Sequence, residues 1–359
     1  MPVEIYRERQ RPIFDELVRM FPQDPEFELE IKAAQIEHLR ELVVLRNAVI
    51  LKHNYMDRVL QSDLVPGIRG DSLELSRRAA ETDAEVVVFL GVPFMAETAK
   101  IPSPGKKILI PSLEGGCSLA SSIKPENILW LKEQYPGSPV VMYVNTDAAT
   151  KAVTVVCCAS GNGSKVIRWT LKNLDPFHTG KIIFGPDQYL AMNIAAELGV
   201  EIYFPTLGLT IPGKNPYSKI QVIGWHGKCE VHELFSVRDI NDVRAEYPDV
   251  FVASHPECHP DVIAASDASG STSQLIKIVT SDAVKGKPVL LLTECSMGDA
   301  LAAVNPNILR LCSKRCPHMA QITLENTVEA LEKMQFEVTI DEETRAKAEI
   351  PIRLMIDIK

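Results

Sequence analysis

The feature that most constrains this chain is a series of four short apolar runs followed by a cysteine, which occurs three times. The first runs of the three series are residues 48–51, 139–142 and 249–253, and the last runs are residues 107–110, 220–223 and 308–311. Each last run is followed by a cysteine: Cys117, Cys229 and, after Cys312 in the third series, Cys316. A pattern that returns in the same order along the chain indicates three copies of one structural unit.

The inner runs of each series complete the pattern. The second runs are residues 64–67, 153–157 and 262–265, and the third runs are residues 85–90, 181–184 and 288–292. Short strands that alternate with helices predict parallel sheets covered by helices on both faces. We therefore predict an α/β fold of three similar three-layer αβα domains with short parallel sheets. They span residues 1–134 with N-terminal helices, residues 135–246, and residues 247–359 with a C-terminal helical tail.

An alternative fold is one large doubly wound sheet with many strands. It would also alternate strands and helices, but it does not predict that a cysteine follows the last strand of each series. The threefold recurrence of the cysteine therefore favours three domains.

Composition and charge restrict the classes of function. The 359 residues are 46% hydrophobic and carry a net charge of −9, with acidic and basic residues interspersed. We therefore expect no nucleic acid and no anionic membrane as partners. Residues 1–11 are charged and contain no apolar signal region, and no apolar run approaches the roughly 20 residues of a membrane helix. These two features predict a cytoplasmic protein. In such a protein, eight cysteines indicate metal binding, catalysis or burial rather than disulfides.

The ends of the predicted strands carry most of the polar residues that could do chemistry. Ligands of open parallel sheets bind outside the carboxyl ends of the strands. The first strands of the three series deliver His53, Tyr55, Tyr143, Asn145, His255 and Glu257 to that edge. The second strands deliver hydroxyl groups to predicted helix N-termini: Ser72, Ser160, Ser271 and Thr272. Three converging helix N-termini would bind a phosphate or carboxylates, whereas each hydroxyl taken alone is typical of a helix cap.

The fourth strands each deliver one of the three cysteines. The apolar run of residues 220–223 is followed by Gly227, Cys229 and His232, an order that is typical of a strand that ends in a tight turn. Three thiolates around one axis suggest a metal centre. Zinc with an open fourth position and an iron–sulfur cluster with three cysteine ligands both remain open, because the cysteines have no local spacing that identifies the metal.

The motifs of the chain, taken in order, resemble those of the quinolinate synthase (quinolinate synthetase A) family. The resemblance covers the chain from about residue 31 to the C-terminus. It rests on the motifs at residues 70–72, 95–100, 116–120, 143–146, 225–233, 255–257, 270–275 and 316–319. It implies three α/β domains arranged with pseudo-threefold symmetry around a central site.

The resemblance also implies an activity and a cofactor. The reaction would condense iminoaspartate with dihydroxyacetone phosphate and release phosphate and two waters as quinolinate forms, as a step of NAD biosynthesis. A 4Fe–4S cluster would be held by Cys117, Cys229 and Cys316, with one open iron acting as Lewis acid. A transient contact with an L-aspartate-oxidising enzyme, the source of iminoaspartate, is a further implication.

The same resemblance assigns roles to the residues at the strand ends. The residues that match acid–base and substrate-orienting positions are His53, Tyr55, His255 and Glu257, and His232 matches a further active-site histidine. The residues that match carboxylate- and phosphate-holding positions are Ser72, Tyr143, Asn145, Ser160, Ser271 and Thr272. Condensation and two dehydrations need protons given and taken, which suits these residue types near a Lewis acid.

Several features depart from the family pattern. Met56 stands where a glutamine is usual, and Cys157 and Cys158, where a threonine and serines are more usual, are expected in the core. Residues 207–216 are expected to form an insertion or a lid loop. Cys312 and Cys316 could form a regulatory disulfide, and we assign no role to Cys258 and Cys295.

Two alternative functions remain open at this level. An iron–sulfur sensor or binding protein would need no proton-transfer set, and an iron–sulfur hydro-lyase acting on another small acid would need no phosphate site for a second substrate. The acid–base residues at the strand ends are evidence against a sensor or binding protein. The three hydroxyl-bearing helix starts are weaker evidence against a hydro-lyase.

Overall fold

The chain folds into three separate β-sheets with helices packed on them. The computed structural model describes residues 3–175, 177, 179–215, 218–311 and 313–358, with side chains from residue 8 onward. The helices are α1 (Val3–Met20), α2 (Glu26–Leu45), α3 (Arg58–Gln61), α4 (Ser72–Glu81), α5 (Pro93–Lys100), α6 (Ser118–Ser122), α7 (Pro125–Gln134), α8 (Ala148–Ala152), α9 (Gly163–Asn173), α10 (Gln188–Leu198), α11 (Val237–Glu246), α12 (Pro260–Ala265), α13 (Thr272–Val279), α14 (Cys295–Leu301), α15 (Leu324–Lys333) and α16 (Glu342–Asp357). None of the described helices combines the length and the apolar composition that a membrane crossing requires.

The first sheet is parallel throughout. Its strands are β1 (Ala48–His53), β2 (Ile68–Gly70), β3 (Val86–Leu90) and β4 (Lys107–Leu109), in the order β2-β1-β3-β4. Every residue of β3, with the sequence VVVFL, is buried. A continuous apolar run is what a parallel strand covered on both faces requires.

The other two sheets repeat this strand order. The second sheet contains β5 (Val140–Tyr143), β6 (Val156–Cys158), β7 (Lys181–Gly185), β8 (Glu201–Phe204), β9 (Leu209–Ile211) and β10 (Gln221–Gly224), in the order β6-β5-β7-β10-β8-β9. The third contains β11 (Phe251–Ser254), β12 (Ala268–Ser269), β13 (Val289–Leu292) and β14 (Ile308–Arg310), in the order β12-β11-β13-β14. The predicted α/β fold with three similar, mainly parallel sheets is therefore confirmed.

Two of the predicted second strands were misplaced. Residues 262–265 lie in α12, and residues 64–67 precede β2. Pro260 occupies the first position of α12, where its fixed φ favours a helix start. The strands that do form, β2 and β12, have only three and two residues. Strands this short at the edge of a sheet leave no apolar pattern to recognise.

The segment of residues 207–216 contains an additional strand rather than a lid. β9 pairs antiparallel with β8 and extends the second sheet beyond β10. No described residue of this segment lines the pocket treated below. The added strand β9 fits the expectation of an insertion, whereas the expectation of a lid is wrong. Pro216 lies outside the described residues.

The C-terminal helices tie the sheets together. α15 packs on α2 and β3, whereas α16 packs on α8 and β6 of the second sheet. Ile352 and Met355 of α16 are fully buried there. The predicted boundaries at residues 134/135 and 246/247 stay predictions. The tail of the third predicted domain nevertheless covers the other two sheets and fixes their strand ends relative to one another.

Candidate active site

The strand ends of all three sheets meet at one pocket. The predicted site residues that line it are His53, Tyr55, Ser72, Cys117, Tyr143, Asn145, Ser160, Cys229, His232, His255, Glu257, Thr272 and Cys316. Of the predicted site residues, Ser271 does not line the pocket. The structure thus brings together side chains that the sequence spreads over more than two hundred positions.

Two histidines occupy equivalent places in the first and third sheets. His53 ends β1, and His255 follows β11. The Nδ1 atom of His53 accepts a hydrogen bond from the backbone N–H of Tyr55 (3.2 Å), and the Nδ1 atom of His255 accepts one from that of Glu257 (3.3 Å). Burial lowers the pKa of His53 to about 4 and that of His255 to about 3. Both imidazoles are therefore neutral near pH 7, and each carries its proton on Nε2.

Glu257 joins groups from the second and third sheets. Its Oε1 atom accepts hydrogen bonds from the Tyr143 hydroxyl (2.6 Å) and from the Asn145 amide (3.5 Å). Its Oε2 atom lies 2.8 Å from Nδ1 of His232. Burial acts to raise the pKa of Glu257, but attraction to His232 and His255, together with these hydrogen bonds, holds it well below its ordinary value. Glu257 is therefore a carboxylate at neutral pH.

Thr293 is a site residue that the sequence reasoning missed. Its hydroxyl lies 2.7 Å from the hydroxyl of Tyr55 and 3.0 Å from Nε2 of His232. The His232 ring is stacked on the His255 ring, with centroids 4.6 Å apart. Burial and the charge of Glu257 raise the pKa of Tyr55 well above its ordinary value, so its phenol stays protonated. Thr293 follows β13, and its place at a strand end was the only sequence signal for it.

The turns after the three second strands also converge. The Ser271 hydroxyl lies 3.3 Å from a carboxylate oxygen of Asp71. A Cβ atom placed on Gly161 would lie 3.1 Å from the same hydroxyl. The amide of Asn54 donates to the Thr272 hydroxyl (2.9 Å) and links the first sheet to α13. These contacts place the N-termini of α4, α9 and α13 around one end of the pocket.

Of the four hydroxyl residues predicted at helix N-termini, only one uses its side chain to cap a helix. Ser271 caps α13 and accepts a hydrogen bond from the N–H of Gln274, which agrees with its position outside the pocket lining. α4 is capped instead by Asp71, and Asn162 precedes α9. The residues left over, Ser72, Ser160 and Thr272, line the pocket.

The three cysteines follow the last strands of their series and are partly buried. The Sγ atom of Cys229 lies 3.2 Å from Nδ1 of His232. Among the described residues, the set whose ligand atoms all lie within 4.8 Å of one another is Cys229, His232 and Glu257. The three cysteine sulfurs do not form such a set. A single zinc ion, with Zn–S distances of about 2.3 Å, would need sulfurs roughly 3.8 Å apart. The three thiols therefore suit a larger centre better than one ion.

Burial strongly affects the chemistry of these thiols. It raises the pKa of Cys117 to about 12, that of Cys316 to about 11 and that of Cys229 well above its ordinary value. Thiols of this kind become thiolates when a bound cation replaces their protons. Cysteines that served only to fill the core would not be expected to converge on a pocket lined by polar residues.

Two further residues, also missed by the sequence reasoning, hold the cysteine loops. Glu294 accepts a hydrogen bond from the backbone N–H of Cys316 (3.1 Å). His318 accepts one from the N–H of Gly116 (3.0 Å), and its other ring nitrogen lies 3.0 Å from a carboxylate oxygen of Glu230. Both residues line the pocket. They connect the loops of Cys117, Cys229 and Cys316 to one another.

The tight turn before Cys229 also has a structural cause. A Cβ atom on Gly227 would clash with the Ser122 hydroxyl and with the carbonyl oxygen of Pro186. Glycine is needed there because the chain passes against α6 and the end of β7.

The remaining cysteines and Met56 belong to the core where the structure describes them. Cys157 and Cys158 are fully buried in β6, which agrees with the predicted core role. Met56 is also fully buried, and an apolar environment suits methionine better than the usual glutamine. Cys258 and Cys295 are buried. Cys312, and with it the predicted disulfide to Cys316, lies outside the described residues.

Comparison with known proteins places this architecture among related sequences. The family model described as Quinolinate synthetase A protein matches residues 34–357. The chain is 45% identical over 324 residues to the quinolinate synthase of Xylella fastidiosa (strain 9a5c), covering 90% of this chain and 87% of that protein. It is 43% identical over 325 residues to the quinolinate synthase of Agrobacterium fabrum, covering 90% and 85%. It is 41% identical over 348 residues to quinolinate synthase 2 of Mesorhizobium japonicum, covering 96% and 97%.

Proposed function

Because this chain belongs to the quinolinate synthetase A family, we propose that it condenses iminoaspartate with dihydroxyacetone phosphate to give quinolinate, phosphate and two waters. The observation that carries the proposal is the single pocket that combines three thiols with a hydrogen-bonded set of Tyr, His and Glu side chains. On this proposal the protein is a cytoplasmic enzyme of NAD biosynthesis. Its iminoaspartate would come from an L-aspartate-oxidising enzyme that it contacts transiently.

The pocket suits an iron–sulfur cofactor. Cys117, Cys229 and Cys316 would hold a 4Fe–4S cluster, in which each cysteine binds a different iron and the sulfurs need not approach one another closely. When bound, the cluster would supply a Lewis-acidic iron with no cysteine ligand. The protein's own contribution is to bind and orient the substrates and to move their protons.

The neutral histidines are suited to donate hydrogen bonds. His53 and His255 each use Nδ1 to accept a backbone N–H, so their Nε2–H groups would donate to a substrate carbonyl or hydroxyl oxygen. Such donors would stabilise the negative charge that develops on oxygen during enolisation. Because their pKa values lie well below 7, they would keep this role across the neutral pH range.

Proton transfer is assigned to Tyr55, Glu257 and His232. Glu257 is a carboxylate within hydrogen-bond distance of His232 and is suited to accept a proton. Tyr55 keeps its proton at neutral pH and is suited to exchange a proton with the substrate or to orient it. Condensation and each dehydration need one proton removed and one delivered, which requires both kinds of group in the same pocket.

Substrate anions would bind on the side of the helix N-termini. Ser72, Ser160 and Thr272 would offer hydroxyl groups there, and the cap residue Ser271 would orient the start of α13. Helix N-termini bind anions through their open N–H groups and the helix dipole. Tyr143 and Asn145 would complete the carboxylate site. Asn145 has a second amide N–H beyond the one that faces Glu257, whereas Tyr143 would turn its single proton from Glu257 to the substrate.

The test is anaerobic reconstitution of the full chain with iron and sulfide, followed by mass-spectrometric detection of quinolinate from the two substrates. We expect a brown protein that forms quinolinate and phosphate in equal amounts. A colourless, iron-free but active protein would overturn the cofactor assignment. An intact cluster without quinolinate would overturn the activity in favour of a sensor, or of a hydro-lyase on another small acid.

A further inference from the structure

Four hydrogen-bonded groups form a chain along the back of the pocket. Glu257 Oε2 lies 2.8 Å from His232 Nδ1, His232 Nε2 lies 3.0 Å from Thr293 Oγ1, and Thr293 Oγ1 lies 2.7 Å from the Tyr55 hydroxyl. His232, Glu257 and Thr293 are at most 4% exposed. With so little solvent, these three side chains depend on neighbouring groups for their hydrogen-bond partners.

The direction of these bonds follows from one end of the chain. A carboxylate only accepts hydrogen bonds, so a ring proton of His232 lies on Nδ1, 2.8 Å from Glu257 Oε2 and 3.2 Å from Cys229 Sγ. When the ring carries this one proton, Nε2 is an acceptor, and the Thr293 hydroxyl (3.0 Å) lies closer to it than the Tyr55 hydroxyl (3.4 Å) does. The single proton of Thr293 is thereby committed to His232, so its oxygen accepts from Tyr55.

We propose that Thr293 is a positioning residue, which turns the Tyr55 proton inward and leaves the phenol oxygen facing the pocket as a hydrogen-bond acceptor. This inference deepens the proposed function and depends on it for the identity of the substrate. Tyr55 would then accept a hydrogen bond from a substrate N–H or O–H group. A proton taken up at the phenol oxygen could be passed along the chain as each member shifts its own proton one step toward Glu257.

Comparison of the three sheets supports a specific role for Thr293. The register pairs Lys52 with Leu90, Met142 with Gly185 and Ser254 with Leu292. The next residues of the third strands are therefore equivalent, and they are Gly91, Pro186 and Thr293. Only the third sheet places a hydroxyl at this position. The same sheet also provides Glu257, the acceptor at the other end of the chain.

The test compares Thr293→Val with Thr293→Ser. Valine keeps the volume and removes the hydroxyl, whereas serine keeps the hydroxyl. We expect Thr293→Val to lower kcat by about tenfold or more with little change in KM, because the Tyr55 proton is no longer held inward. Thr293→Ser should stay within about threefold of the parent, since a retained hydroxyl preserves the positioning. Thr327→Val controls for the loss of a buried threonine hydroxyl, since Thr327 is fully buried in α15 and its hydroxyl donates to the carbonyl of Thr323.

A second readout does not depend on catalysis. Nitrogen-15 NMR of the full chain labelled at histidine, with the His232 signals assigned from His232→Gln, should show the proton on Nδ1 and a hydrogen-bonded acceptor at Nε2. The Nε2 signal should shift in Thr293→Val, where the more distant Tyr55 hydroxyl (3.4 Å) is left in reach of Nε2, and return to the parent position in Thr293→Ser. A proton on Nε2, or a signal that does not respond to Thr293→Val, would overturn the inference. A correct NMR result with no quinolinate formed would instead place the failure in the proposed function.

Discussion

The first and third sheets present similar groups to the pocket, and the second sheet presents different ones. At the ends of β1 and β11 a histidine uses Nδ1 to accept the N–H two residues further on. At the end of β5 the equivalent residue is Tyr143, which donates to Glu257 of the third sheet. Three copies of one scaffold thus give two neutral imidazole donors and one phenol, and chemical diversity comes from the departures from the repeat.

The cysteines show the opposite behaviour. Each fourth strand is followed by a cysteine that lines the same pocket. All three repeats therefore have a cysteine after the last strand, whereas the residue at the end of the first strand is not the same in all three. Changes at the varied positions should affect proton transfer or binding, whereas changes at the cysteines should affect the cofactor.

The largest effect is expected for Glu257→Gln. Glutamine keeps the shape but removes the charge that orders Tyr143, Asn145 and His232. We expect turnover to fall by about 10³-fold or more, within the range for loss of a positioned acid or base, with iron content unchanged. Steady-state assay together with iron analysis measures both quantities. Turnover within tenfold of the parent would remove Glu257 from the chemistry.

Tyr55→Phe tests the phenol that the first sheet contributes to the pocket, as distinct from the Tyr143 phenol of the second sheet. It removes the hydroxyl that bonds Thr293, and we expect turnover to fall by roughly 10²-fold while cluster absorbance is retained. Tyr135→Phe is the matched control, because Tyr135 follows α7 and does not line the pocket. Parent-level turnover in Tyr55→Phe would show that the first sheet contributes no phenol to proton transfer.

The buried histidines predict a pH dependence of stability. Their folded-state pKa values of about 4 and about 3 lie below the unfolded value of about 6.5, so the unfolded chain binds their protons first. Stability should fall by about 2 kcal/mol for each histidine as pH drops from 7.5 to 5. Urea unfolding of the metal-free protein should show a shallower pH dependence in His53→Asn and His255→Asn. An unchanged slope in both variants would show that these imidazoles are not held neutral.

The smallest effect is expected for the added strand of the second sheet. Replacing residues 207–213 by a short glycine turn should cost roughly 1 kcal/mol of stability and leave turnover unchanged. Leu209 is 39% exposed, and β9 has a single strand neighbour. A large loss of turnover would show that this segment does influence the pocket.

The sequence was sufficient for the parts of the molecule that recur. The buried run of β3 and its counterparts β7 and β13 could be recognised because a continuous apolar stretch has one stable environment in a parallel sheet. The cysteines could be found because they keep the same place in each series. Edge strands such as β12 could not be found, because two residues carry no periodicity.

The site residues missed from the sequence depend on tertiary contacts. Thr293 is an ordinary strand-end residue until the third sheet brings it within 3 Å of both Tyr55 and His232. Glu294 and His318 likewise acquire their contacts to the cysteine loops only in the folded chain. Ser271 was assigned to the pocket, but its hydroxyl is used to cap α13.

The most direct test of one site shared by three sheets is the iron content of three single variants after anaerobic reconstitution. The account predicts that Cys117→Ser, Cys229→Ser and Cys316→Ser each lose the cluster while keeping a parent-like circular dichroism spectrum. The buried Cys157→Ala should retain it as control. A cysteine variant that binds as much iron as the parent chain would contradict the claim that all three sheets hold one centre.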